Sequence, residues 1–172
     1  GTKLEMIASL ELIADGELLG TVLELPEGMK LQTVEGPQLA DWWEDEGNLV
    51  LRLRPAEDES VGLLVYLIQE FEEEQESLAL RPVGLPDFEE IDGSAIVVAH
   101  AAKETVLKFE QARHEVREVT ADSVNQDFKI LPPLVRKHGF TFDEPEFEGL
   151  LELKDLPVQF DTNLVLFAQV YD

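Results

Sequence analysis

Leu4-Glu5-Met6-Ile7-Ala8-Ser9-Leu10-Glu11-Leu12 admits two readings. Leu4, Met6, Ala8, Leu10 and Leu12 alternate with Glu5, Ser9 and Glu11, the period of a strand with one face buried. Leu4, Ile7, Ala8 and Leu12 would also share one face of a helix. The residues that follow favour the strand. Asp15-Gly16 is a turn dipeptide, residues 18–25 run into Pro26-Glu27-Gly28, and residues 30–34 close at Gly36-Pro37. Leu49, Leu51 and Leu53 alternate with Asn48, Arg52 and Arg54 in a half-buried strand entered through Glu46-Gly47. Residues 61–68 are apolar on both faces, as a central strand is.

Further strands are expected at residues 77–83, 95–100, 104–110, 115–119, 147–153 and 163–171, each bounded by turn residues, with Ser94 in a hairpin turn. Many short strands at close, regular spacing predict an all-β fold of the antiparallel β-sandwich type rather than a βαβ fold. One short helix is expected at residues 132–138. Proline suits its first turn, Arg136, Lys137 and His138 suit the negative end of its dipole, and Gly139 suits the left-handed position after it. The acidic run 70–76 is the natural boundary. It divides the chain into two consecutive small sandwiches, 1–72 and 76–172, the alternative being one elongated all-β domain over 1–172.

Composition narrows the function. The 172 residues carry 37 acidic against 13 basic side chains, a formal charge of −24, and 44% of them are hydrophobic, too many for that charge to mean disorder. Nucleic acid is excluded as a direct partner, because its phosphates are held by lysine and arginine. Anionic bilayers are disfavoured on the same ground, and no apolar run approaches the roughly 20 residues a spanning helix needs, so direct membrane insertion is not expected. With no cysteine, a disulfide framework is ruled out. The chain begins at Gly1 without a basic and apolar leader and ends one residue after a strand-like run, so it reads as a segment of a larger protein.

No catalytic pattern emerges. Acidic clusters occur at Asp41/Glu44/Asp45/Glu46, Glu57/Asp58/Glu59, Asp87/Glu89/Glu90/Asp92 and Asp143/Glu144/Glu146/Glu148. None follows a calcium-loop pattern, so weak divalent-cation association through the general field is expected and a specific metal site is not. His100, His114 and His138 lack zinc-ligand spacing, Gly93-Ser94-Ala95 lacks a nucleophile elbow, and glycine-rich phosphate loops are absent. No cofactor is implied. The abundance of carboxylates hides any glycosidase pair among many. Trp42-Trp43 is the distinctive feature: on a strand the two rings point to opposite faces, one into the core and one outward, where it can meet a neighbouring domain or stack on a sugar. Trp42 and Trp43 are therefore the candidate interaction residues.

The run Leu23-Glu24-Leu25-Pro26-Glu27-Gly28-Met29-Lys30-Leu31-Gln32-Thr33-Val34-Glu35-Gly36, then Leu39-Ala40-Asp41-Trp42 and residues 49–53, resembles a β-rich module of large predicted bacterial cell-envelope proteins. Gly139-Phe140-Thr141-Phe142, Pro145 and residues 147–153 resemble its second half. The resemblance implies an extracytoplasmic location, in the periplasm or at the cell surface. It also implies a non-catalytic structural or protein-interaction role, with neighbouring domains of the same chain or another envelope protein as partners. The rival expectation is a carbohydrate-binding or carbohydrate-active β-domain using an exposed tryptophan and acidic residues.

Overall fold

The computed structural model describes residues 2–13, 16–55, 60–81, 83–88, 92–100, 103–109, 117–119, 137–143 and 148–155. These form twelve strands and, among the described residues, no helix. The opening stretch is a strand: β1 (Lys3–Ile13) pairs antiparallel along its whole length with β6 (Ser60–Glu70), from Lys3 opposite Glu70 to Ile13 opposite Ser60. Its other edge pairs with β8 (Asp92–His100), from Lys3 opposite His100 to Glu11 opposite Asp92. Flanked on both sides, β1 buries Leu4, Met6, Ala8, Leu10 and Leu12 together. A helix at this position would have turned Met6 and Leu10 away from the stripe formed by Leu4, Ala8 and Leu12, which is why alternation wins.

Around β1 the sheet runs β10-β11-β8-β1-β6-β3, with β3 (Lys30–Glu35), β10 (Arg117–Val119) and β11 (Lys137–Phe142), and every pairing is antiparallel. The doubly apolar β6 takes an interior place between β1 and β3. Among the described residues there are also two three-stranded antiparallel sheets. One is β2 (Gly20–Glu24), β5 (Asn48–Leu53) and β4 (Leu39–Asp45), with β5 central; the other is β7 (Ser77–Leu80), β12 (Gly149–Asp155) and β9 (Lys103–Phe109), with β12 central.

A single buried apolar cluster draws on all three sheets. It joins Leu4 to Leu12 of β1 and Val61, Leu63, Val65 and Leu67 of β6 to Leu49, Leu51 and Leu53 of β5 and to Leu78, Leu107 and Leu151 of the third sheet. The opposite face of the six-stranded sheet carries a smaller cluster of Ile7, Ile96 and Val98, with Leu64 and Tyr66 against it.

The acidic run 70–76 ends β6 and turns the chain toward β7, with the Gln75 N–H donating to the Glu72 carbonyl at 3.1 Å. Phe71 is buried there, its N–H donates to the Thr2 carbonyl at 3.3 Å, and its own carbonyl accepts from the Thr2 hydroxyl. Strands from both sides of this run share the six-stranded sheet, since β1 lies hydrogen-bonded between β6 and β8. Glu24 and Gly84 tie the two sides again, each N–H donating to the other's carbonyl at 2.8 Å.

Two local expectations are corrected. Gly93-Ser94 is not a hairpin turn but lies inside β8, where Ser94 is opposite Ser9 and Thr141. Gly93 is needed for space: a Cβ there would come within 2.3 Å of the Phe142 ring, which lies over its backbone. The expected helix at 132–138 does not reach its end either. Lys137 and His138 begin β11, opposite Val98 and Val97, and Gly139 is opposite Ile96, so ladder pairing takes the place of a helix cap. Residues 132–136 and the strand expected at 163–171 lie outside the described residues.

Candidate functional site

Trp42 and Trp43 sit on β4, joined to β5 by the two-residue loop Glu46-Gly47. Asp45 is opposite Asn48, and the two loop residues have φ of +47° and +84°, the left-handed pair that a tight hairpin matched to strand twist requires. Alternation then sends the two indoles apart. Trp42, opposite Leu51, packs against the apolar core, while Trp43, opposite Val50, is 47% exposed. Of the seven residues in β4, only Leu39 and Trp42 are even half-buried.

Of the acidic cluster expected at 41–46, Asp41 and Asp45 share the Trp43 face by alternation, Glu44 lies on the other face and Glu46 is in the turn. Asp41 has two contacts: one carboxylate oxygen accepts the Trp42 backbone N–H at 3.0 Å, and the other stands 3.5 Å from the Arg52 guanidinium. That ion pair is well exposed on both sides and contributes little to stability. The residues can offer an aromatic face inside a negative field.

A second feature lies on the outer face of the β7-β12-β9 sheet, an open depression of about 1010 Å³ bordered by Glu73, Glu76, Lys108, Glu152 and Lys154. Leu151 and Leu153 point inward there, so Leu150, Glu152 and Lys154 face out by alternation. Glu152 is held by Lys108 at 2.5 Å and by Lys154 at 3.5 Å. The hydrogen bond from Lys108 is the main cause that lowers the Glu152 carboxyl below its ordinary value. Lys103, its side chain only 9% exposed, donates to the Gln75 carbonyl at 3.2 Å and stands 3.5 Å from Asp155. This trough was not singled out from the sequence. Its signal was the outward alternation of Glu152 and Lys154, but the partnering Lys108 comes from a strand far away in the chain.

The remaining sequence candidates scatter. Asp87 lies 3.4 Å from the hydroxyl of the buried Thr21, so the cluster at 87–92 has one member engaged with the first three-stranded sheet. Residues 57–59, Glu89, Glu90, Glu144, Glu146 and His114 lie outside the described residues. The Nε2 of His138 on β11 is 2.8 Å from the Thr105 hydroxyl on β9, a link between the six-stranded sheet and its three-stranded neighbour. Among the described residues, no three His, Asp or Glu side chains converge as a metal site, and no helix is long and apolar enough to cross a membrane. In comparisons with known proteins, the chain matches no protein-family model, no curated protein and no solved structure.

Proposed function

We propose that this chain is a non-catalytic structural or protein-interaction module of a larger bacterial envelope protein, acting outside the cytoplasm. In this reading the three sheets stack as one elongated antiparallel β-sandwich domain, and neighbouring domains dock on the Trp43 side of the β4–β5 hairpin. The shared apolar cluster supports the single domain, since all three sheets contribute to it. The observation that carries the interaction role is the 47% exposure of Trp43 on a strand that, among the described residues, is paired on one side only, with the neighbouring indole packed against the core. A rigid aromatic backed by a fixed strand presents contact area at low entropic cost, the property of residues that anchor interfaces.

The test is to replace each tryptophan by alanine. Trp42→Ala should be destabilised by about 1.5–3 kcal/mol, since its half-buried indole packs against the core. Trp43→Ala should melt as the parent does and lose binding to the flanking domains of the complete protein. Full binding by Trp43→Ala would remove the interface, and turnover of a glycan or ester panel by the parent chain would overturn the non-catalytic assignment.

A further inference from the structure

We propose that the open edge of β4 receives a lysine- or arginine-bearing extended segment of a partner protein as an added β-strand. This rests on the reading of Trp42 and Trp43 as an interface and names the partner's chemistry. β4 is the outer strand in the order β2-β5-β4 and, among the described residues, is paired on one side only. In a hairpin closed by two residues, the flanking pair exchanges both hydrogen bonds and the pattern alternates from there. Asp45, Trp43 and Asp41 therefore bond to β5, and the N–H and C=O groups of Trp42 and Glu44 point to the open edge. The Trp42 N–H bears this out, since it donates to the Asp41 side chain at 3.0 Å and not to β5. After the register shift between Leu39 and Asp41, the strand pairs regularly to Asp45, a length sufficient for a short added strand.

Charge selects the occupant. Asp41, Glu44, Asp45 and Glu46 line this edge and its turn, and β4 carries no basic residue. A second copy pairing edge to edge would bring these carboxylates against their own kind, an arrangement that opposes association. A cationic strand meets the reverse situation. Its lysine or arginine draws the Asp41 carboxylate off the Trp42 N–H, freeing that donor for the incoming carbonyl, so recognition of charge and opening of the edge are one event. On the exposed face, Trp43 offers its ring to another cationic side chain of the same segment.

The probe is a ten-residue peptide of alternating lysine and valine, titrated into the purified chain and followed by tryptophan fluorescence and amide hydrogen exchange. Expected are saturable binding that weakens with salt and new protection at the Trp42 and Glu44 amides. The same peptide N-methylated at alternate backbone positions should bind roughly tenfold to thirtyfold more weakly, the loss of about two hydrogen bonds. Glu44→Pro, which removes an outward N–H that β5 does not use, should weaken binding well beyond Glu44→Gln. Equal binding of the methylated peptide, equal binding of a glutamate-valine peptide, or protection elsewhere than on β4 would overturn the added strand. So would absence of binding by the lysine peptide. Each of these leaves the Trp43 interface standing, because that reading falls only if Trp43→Ala keeps full binding to the flanking domains.

Discussion

Gly93→Ala tests the packing of the main sheet at its tightest point. The added Cβ would lie 2.3, 2.4 and 2.8 Å from Cε2, Cζ and Cδ2 of Phe142, where carbon atoms settle at about 3.5–4.0 Å. The ring must therefore retreat by more than about 1 Å, and it has little room. Phe142 is 3% exposed, its centroid is 5.9 Å from that of the fully buried Phe140, and Phe140 in turn meets Phe109 of β9 edge-on at 5.3 Å. Overpacking of this kind costs about 1–3 kcal/mol, offset in part by the roughly 0.4–1 kcal/mol that Gly→Ala gains from the unfolded chain. A net loss of about 1–1.5 kcal/mol is expected. Phe142→Val removes all three crowding atoms and leaves a β-branched residue in β11, at a cost on the order of 2–4 kcal/mol. In that background the crowding cost should vanish and only the unfolded-chain gain remain, so the double-mutant cycle should return the crowding cost itself, about 2 kcal/mol of coupling. Urea unfolding with unchanged slope is the assay. A neutral Gly93→Ala, or a penalty that persists undiminished in the Phe142→Val background, would refute the argument.

Tyr66→Phe should raise stability by about 0.5–1 kcal/mol in the same assay, because the Tyr66 hydroxyl is buried without a hydrogen-bond partner among the described residues. Burial, and secondarily Glu35, raises the Tyr66 ionisation above its ordinary value, so the parent should also lose stability relative to Tyr66→Phe as pH climbs past the tyrosine range. For Glu152 the sign is opposite. Its folded carboxyl is held low, chiefly by the Lys108 hydrogen bond, so its contribution is present above the ordinary carboxylate range and lost as pH falls through the folded value. Thermal melts of the parent and Glu152→Gln should differ at neutral pH and converge in acid. Glu46→Asn should stabilise the hairpin by about 0.5–1 kcal/mol, since Glu46 holds a φ of +47° that asparagine tolerates better. Moderate sodium chloride should raise Tm, because a chain of net charge −24 repels itself and screening shortens that repulsion to about 8 Å at physiological ionic strength.

How much of this was legible depends on whether a residue's surroundings are local. β1 and β5 were readable because each buries one face and exposes part of the other, which writes a period of two into the text. The outward turn of one indole at Trp42-Trp43 was readable for the same reason, and so was the turn at Glu46-Gly47. The turn expected at Ser94 and the helix cap expected at Gly139 fail because glycine marks two different needs, backbone freedom in a turn and empty space under a neighbour. Only the second applies to Gly93, and the ring that needs the space belongs to Phe142, far along the chain.

The candidate site divides along the same line. The anchor and the exposed ring follow from alternation within β4, but the chemistry of its edge depends on which carboxylate reaches which N–H, and composition gives no hint of that. The acidity that first reads as solvation thereby acquires two distinct uses in the fold. On the face of the β7-β12-β9 sheet, Glu152 and Asp155 are partnered by lysines from the same sheet, so those charges are matched within it. Along β4, apart from the long contact between Asp41 and Arg52, no described basic side chain pairs with the carboxylates, and their field faces outward beside Trp43. A surface whose charges are already matched gains little from a charged partner, whereas an unmatched acidic edge with strand groups to offer gains both ion pairs and ladder bonds from a basic strand. That asymmetry is the reason the proposed partner contact is assigned to β4 and not to the larger depression.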